Sequence, residues 1–511
     1  MANLFNPMER RVLPNWRSFM LTASLGELSD WRPESISPTS RNLSIDDYIL
    51  SWKQNKTLAI AGDLLSAAFV NRFTDNPTVK EAAFFVLSNQ DQSTNSLLTL
   101  AEGITHEPIE SLDTEVTLNK LADCIETDHI RKSIREIKSR LNQYRMNSIQ
   151  YVELSRLYSI LGHQEKALQN MSVALHLAPE NRFVIRAASR LYTHFGSPDN
   201  IYHFINKSDI VRHDPWVASA EIALATIINH TPRSIKKGLQ MISSGMYSPS
   251  SLTELAASIA TLEFFSGNRK KTKHLLKTAL ISPNDNSLAQ TGWILNKTRL
   301  FEVNPNDYDA EKKYEALVLD DYQKKRWDEA LKYSILWFCD LPFSKQPVMY
   351  ASNIAGCILD KPELARKLLH AGLVSHPNDP QIINNLAYSL ASENQLDEAE
   401  SYIKKIRSFS ATDPVTKLCL VATSGLISFR RGFQNEGRDL YHKAIEATKG
   451  LRYKRFRWLA ELNLAREEIL CKSGQIEVVV EGISKIPEDT EYPEVNKLRD
   501  DVIRLYNRTK K

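Results

Sequence analysis

A step of about 34 residues, repeated along most of the chain, constrains its fold more than any other feature. In residues 148–181, Leu154, Leu157, Tyr158 and Leu161 stand at three- and four-residue spacings; Gly162 follows, then Ala167, Met171 and Ala174, and finally Pro179. Two amphipathic helices joined by a tight turn account for that order. The first stripe gives one buried face, glycine accepts the turn conformation, and small alanines let the second helix come close. The order recurs in 380–413, where Leu386, Ala387 and Leu390 precede Ala399 and Ile403, and in 418–447 through Gly425, Gly432, Tyr441 and Ala444. Poorer copies surround Gly267 with Leu276 and Ala279, Ala330 with Pro342, and Ala365 with Leu369 and Pro377. Ala330, Ala365 and Ala399 keep steps of 35 and 34 residues. A unit of this length cannot bury its own apolar face, so stacking against its neighbours is the expected solution.

Punctuation and composition point the same way. Asp214-Pro215, Asp379-Pro380 and Asp413-Pro414 each place a capping carboxylate before a first-turn proline. Only 17 of 511 residues are glycine, well under the usual share of about 7%, which argues against a large sheet protein or several glycine-rich cofactor loops.

The pattern resembles the tetratricopeptide repeat family over roughly residues 148–487. The resemblance implies an all-α fold, an α-solenoid of antiparallel helix pairs wound into a superhelix, whose first helices line a concave groove. It also implies that Arg156, Asn384, Tyr388 and Phe429, with adjacent Arg430, face a protein or peptide partner there. Some family members clamp a C-terminal carboxylate with Lys, Asn, Lys and Arg; Asn385 imitates one position, but Tyr350 and Ile354 stand where Lys and Asn are needed. The sequence departs elsewhere too, with Gly437 and Thr272 where alanine is expected and an irregular insertion near 296–313.

Outside the repeats, residues 1–41 are rich in Pro, Ser, Arg and Trp without helical period and read as an N-terminal arm. Residues 42–147 form an acidic, mostly helical region with irregular parts, in which 43–88 suggests degenerate repeats. A capping helix is expected in 488–511, with Val495, Leu498, Val502 and Leu505 as its stripe. The net charge of +4 gives no overall case for nucleic acid, although residues 1–128 hold 10 basic and 18 acidic side chains, leaving the positive excess downstream. Five cysteines without a CxxC pair suggest neither zinc knuckle nor disulfide framework, and fit a reducing compartment. Leu58–Val70 carries Asp63 and no apolar run reaches a membrane span; Phe19-Met20-Leu21 is too short an apolar core for an export signal. A cytoplasmic location is expected.

Chemistry is sparse. No phosphate-binding glycine loop, metalloprotease HExxH, hydrolase elbow or kinase set is present. His163, His370, His376 and His442 lack a ligand at helical spacing, Cys357 and Cys419 read as small core residues, and Asp320-Asp321 as part of an exposed helix. No metal and no cofactor is expected. Two basic stretches qualify this reading: helix 129–145, with Arg131, Lys132, Arg135 and Lys138, and 449–458, where Arg452, Lys454, Arg455 and Arg457 alternate with aromatics. Buried stripes with solvated charged faces explain both, through Ile130, Ile134, Ile137, Leu141 and Tyr144 in the first and Leu451, Trp458, Leu462 and Ile469 in the second. Nucleic-acid contact is the alternative. The sequence thus points to a non-catalytic scaffold or adaptor, against a nucleic-acid-associated regulator or the regulatory subunit of a separately encoded enzyme. It is compatible with a homo-oligomer.

Overall fold

Helix after helix in this chain begins on a side-chain cap. Asn76, Asn147, Asn181, Ser248, Asn268 and Asn284 each accept a first-turn N–H. The three Asp-Pro pairs do so twice each, with Asp214 accepting from Trp216 and Val217, Asp379 from Gln381 and Ile382, and Asp413 from Val415 and Thr416. Each such cap contributes about 1 kcal/mol. The computed structural model describes residues 10–18, 45–70, 73–74, 76–89, 92–105, 114–143, 145–407, 413–451 and 453–509, and among them there are helices and no strands. Phe19-Met20-Leu21, Tyr144, Arg452 and most of the N-terminal arm lie outside these residues.

The chain divides into two units, Ala23–Val116 and Met1–Thr22 with Thr117–Lys511. In the smaller unit, α1 (Ile45–Gln54), α2 (Leu58–Val70), α3 (Pro77–Ser88) and α4 (Asn95–Thr105) enclose Trp52, Leu64, Leu65, Val79, Val86 and Ile104.

After Met1–Thr22, the larger unit resumes at Thr117 within α5 (Thr114–Ile125) and continues with α6 (Asp128–Gln143). Antiparallel pairs follow: α7 (Ser148–Ile160) with α8 (Gln164–Leu177), α9 (Arg182–His194) with α10 (Pro198–Lys207), α11 (Pro215–Ile227) with α12 (Ile235–Ser243), and α13 (Pro249–Phe265) with α14 (Arg269–Ala279). Then α15 (Asp285–Thr298) stands without a second helix, and an irregular stretch with a 3-10 turn at Pro305–Asp307 leads to α16 (Tyr314–Gln323) and α17 (Trp327–Asp340). The series resumes with α18 (Lys345–Asn353), which runs into a π turn at Ile354–Ile358, and α19 (Pro362–Ser375). It continues through α20 (Pro380–Ser392) with α21 (Leu396–Arg407), α22 (Pro414–Arg430) with α23 (Gln434–Leu451), α24 (Lys454–Leu470) with α25 (Ile476–Ser484), and the terminal α26 (Pro493–Thr509). This is an all-α helical repeat.

Its two rows of helices differ in burial. Ten residues of α11 are buried against two in α12, and ten in α7 against four in α8. First helices are therefore covered on both sides and second helices on one. Ala330, Ala365 and Ala399, which set the period, are all buried where second helices meet the row inside them.

Turns between paired helices need a left-handed residue. Gly162, Gly196, Gly267 and Gly432 supply it with φ of +69°, +72°, +77° and +89°. Lys325, Asn394 and Lys472 take the same conformation at corresponding turns, with φ of +59°, +62° and +53°.

The solenoid also meets itself. A Cβ added at Gly162 would lie 2.5 Å from the Val374 carbonyl oxygen and 3.1 Å from Pro377. His194 rests 4.8 Å from His376 between ring centroids, and Arg190 donates to Ser344 Oγ at 2.9 Å. The α7–α10 end of the repeat thus closes onto the loops that flank α18 and α19.

Candidate functional site

Inside this closed turn lies the chain's own segment Arg10–Ser18. It is extended and alternates strictly in burial, with Val12, Pro14, Trp16 and Ser18 buried and Arg11, Leu13, Asn15 and Arg17 partly so. That period of two is the signature of an extended chain with one covered face. Among the described residues no strand neighbours it, so side chains of the inner helices hold it.

Two amides on α15, one turn apart, grip its backbone. Asn286 Nδ2 donates to the Leu13 carbonyl at 2.8 Å and Gln290 Nε2 to the Arg10 carbonyl at 3.3 Å. Carboxylates bind its arginines. Arg10 meets Glu315 on α16 through two bonds of 2.8 and 2.7 Å and donates to Gln290 Oε1 at 2.6 Å. Arg17 bridges Asp285 at 2.5 Å and Asp340 at 2.6 Å, and Asn15 adds a bond of 2.8 Å to Asp285. Arg11 donates to Thr226 on α11 and lies 4.6 Å from the centre of the Phe265 ring. Val12 packs on Ala256, Ala257 and Ala279, while Trp16 meets Phe343 at 5.4 Å.

The electrostatics match a cationic occupant. Burial holds the Asp285 carboxyl above the usual range even with Arg17 upon it. For Arg17, burial works against the charge but Asp285 and Asp340 outweigh it and raise its pKa. Beneath the segment, burial opposes ionisation of Glu254, yet Arg186 with Asn284 and Asn286 holds that carboxyl below its ordinary value. Glu254 in turn accepts from the same Asn286 Nδ2 that grips Leu13.

The residues singled out from sequence fall elsewhere. Arg156 is buried on α7 and paired with Glu153 at 2.6 Å. Asn384 is fully buried, with neither amide atom hydrogen-bonded among the described residues. Phe429 is buried against Tyr441, and Arg430 pairs with Glu467 at 2.6 Å. Tyr388 donates to Asn463 at 3.0 Å and lines a cavity of about 290 Å³ bounded by α18, α19, α20, α24 and α26. These five do not form one surface with the seat of segment 10–18.

In the basic stretches, Arg131, Lys132, Arg135 and Lys138 are exposed on α6, with Arg131 paired to Asp128 and Lys138 near the Tyr158 ring. Arg455 is not on the surface: it is buried and bonded to Glu494 at 2.5 Å, which ties α26 to α24. Lys454 and Arg457 are exposed, and Arg457 pairs with Glu461. Among the described residues no group of three or more His, Cys, Asp or Glu side chains is arranged to hold a metal ion. Nor is any described helix long and apolar enough to cross a membrane.

No family model and no curated protein matches this sequence. Among solved structures, the crystal structure of the yeast Tom70 is similar over 91% of this chain and 97% of that one, at 12% identity and a TM-score of 0.31. Identity and score are both low, and the fold rests on the helix pairs themselves.

Proposed function

We propose that this protein is a non-catalytic scaffold whose inner row of helices holds an extended peptide or protein segment. The observation that carries this reading is segment Arg10–Ser18 itself, seated across α11, α13, α15 and α16 by amides on its carbonyls and carboxylates on its arginines. Backbone-directed amides accept many sequences, while Glu315, Asp285 and Asp340 select charge. Tyr388 and Arg430 are proposed as a second, separate contact region toward the C-terminal end.

The test is recovery and mapping of partners from the native host. Full chains carrying Glu315→Lys or Asp340→Lys are expected to lose a partner that wild type retains, with cross-links from that partner falling on the inner helices. Equal recovery by all three chains, or cross-links confined to second helices, refutes the reading. Loss of the partner on Tyr388→Ala alone would move the site to the C-terminal region.

A further inference from the structure

The seat of segment 10–18 has the chemistry of a recognition site, and its occupant has the chemistry of a ligand. No short covalent link holds the segment there, since the chain returns to this unit only at Thr117. Its position therefore rests on non-covalent contacts. These contacts read defined features: a cation at position 10 facing Glu315, small or apolar groups at 12, 14 and 16, and a second cation at 17 between Asp285 and Asp340. Seven residues of extended chain span roughly 23 Å, so the two acidic sites measure both charge and spacing.

The fit is also incomplete. Trp16 Nε1 is buried with no acceptor among the described residues, and an unpaired buried donor weakens whatever carries it. A tethered occupant tolerates such a defect because attachment to the same chain raises its effective concentration above that of a free competitor. A free ligand without the defect can then compete.

We infer that segment Arg10–Ser18 is an intramolecular stand-in for the natural ligand, and that the partner of this groove is an extended segment with two arginines seven residues apart, apolar residues alternating between them and an aromatic residue just before the second. The inference rests on the groove reading above and names the ligand class for that site. Binding of the partner displaces the chain's own segment, so access is regulated by competition.

The probe is a fluorescently labelled peptide of sequence Arg-Arg-Val-Leu-Pro-Asn-Trp-Arg-Ser, titrated against full-length chains. A chain carrying Arg10→Glu with Arg17→Glu empties its own groove and is expected to bind the peptide at least tenfold more tightly than wild type. Asp285→Lys with Asp340→Lys should abolish binding. A peptide with phenylalanine in place of tryptophan should bind as well or better, because the orphaned N–H is gone.

Equal affinity of the wild-type and emptied chains overturns the stand-in role. If the emptied chain does not fold, deuterium uptake by residues 10–18 of wild type under excess peptide gives the answer: a rise supports displacement, and no change overturns it. No peptide binding to any chain, with the host partner still lost on Asp340→Lys, would sink the ligand assignment while leaving the groove reading standing. Retention of both partner and peptide by the lysine variants would sink both.

Discussion

Replacing Gly162 with alanine tests whether the closed turn is an energetic feature of the molecule. Four glycines, at 162, 196, 267 and 432, share a left-handed conformation between paired helices, with φ from +69° to +89°. Alanine in that conformation costs about 1–2 kcal/mol at any of them. Three of the sites are otherwise open, with no atom within 4 Å of the added Cβ. At Gly162 the new carbon would stand 2.5 Å from the Val374 carbonyl oxygen and 3.1 Å from Pro377. These are backbone and ring atoms that no rotamer change can move aside, so the α7–α8 pair must shift or its contact with the α19 end must open. Overpacking of that kind costs roughly 1–3 kcal/mol, which gives about 2–5 kcal/mol for Gly162→Ala against about 1–2 kcal/mol for the other three. The excess cannot be larger than the free energy of closure, because beyond that the turn simply opens. Urea titrations followed by circular dichroism on the four variants provide the comparison, with deuterium uptake at residues 374–377 as the local readout. A Gly162→Ala midpoint indistinguishable from those of the other three, with unchanged exchange at 374–377, would show that the closed turn adds no stability.

Other perturbations have defined signs. Gly437→Ala, which helix propensity alone would favour by about 1 kcal/mol, should instead destabilise by roughly 1–3 kcal/mol, since the added carbon meets the Phe429 ring at 2.5 Å and the Gly425 carbonyl at 2.9 Å; calorimetry decides the sign. Lys472→Gly should stabilise by about 1 kcal/mol by relieving a left-handed lysine, φ +53°, and a lowered denaturation midpoint would contradict it. Burial pushes His194 down to about 3 and lowers His376 as well, with Arg190 opposing protonation of both and Asp379 favouring that of His376. Stability from the pair is therefore complete above the ordinary imidazole value near 6.5 and is lost as pH falls toward the folded values, by roughly 2–4 kcal/mol between pH 7 and pH 5. Urea midpoints at the two pH values, for wild type and His376→Asn, should show the slope shrinking in the variant.

The repeat was legible because it is local. Gly162, Gly267 and Gly432 mark turns, and the alanines at 330, 365 and 399 mark buried faces, through spacings that one window of sequence contains. Gly437 looks like a broken position in sequence and becomes intelligible only when the Phe429 ring is seen lying over it. The seat of Arg10–Ser18 was not legible. Alternation at Val12, Pro14 and Trp16 was available as a signal of an extended, one-sided segment, but Arg10 meets Glu315 across 305 positions, a pairing that no periodicity reveals. Groove positions carried over from the family resemblance put Phe429 and Asn384 toward a partner, whereas both are buried. A consensus register specifies which way a helix residue points, not what the rest of the solenoid then lays against it.

The distance along the chain between Arg17 and its partner Asp340, 323 positions, sets an order of events during synthesis. At about 5–20 residues per second, the arginines leave the ribosome roughly 15–65 s before the last acidic residue of their seat has been made. Helix pairs assemble from neighbours and can form as they emerge, but this segment has nowhere to go until α17 is complete. For that interval every nascent copy displays a basic, tryptophan-bearing strand beside half-built acidic grooves, its own and those of neighbouring chains on the same message. Seating of the segment therefore waits on α17, the last element of its site to be made.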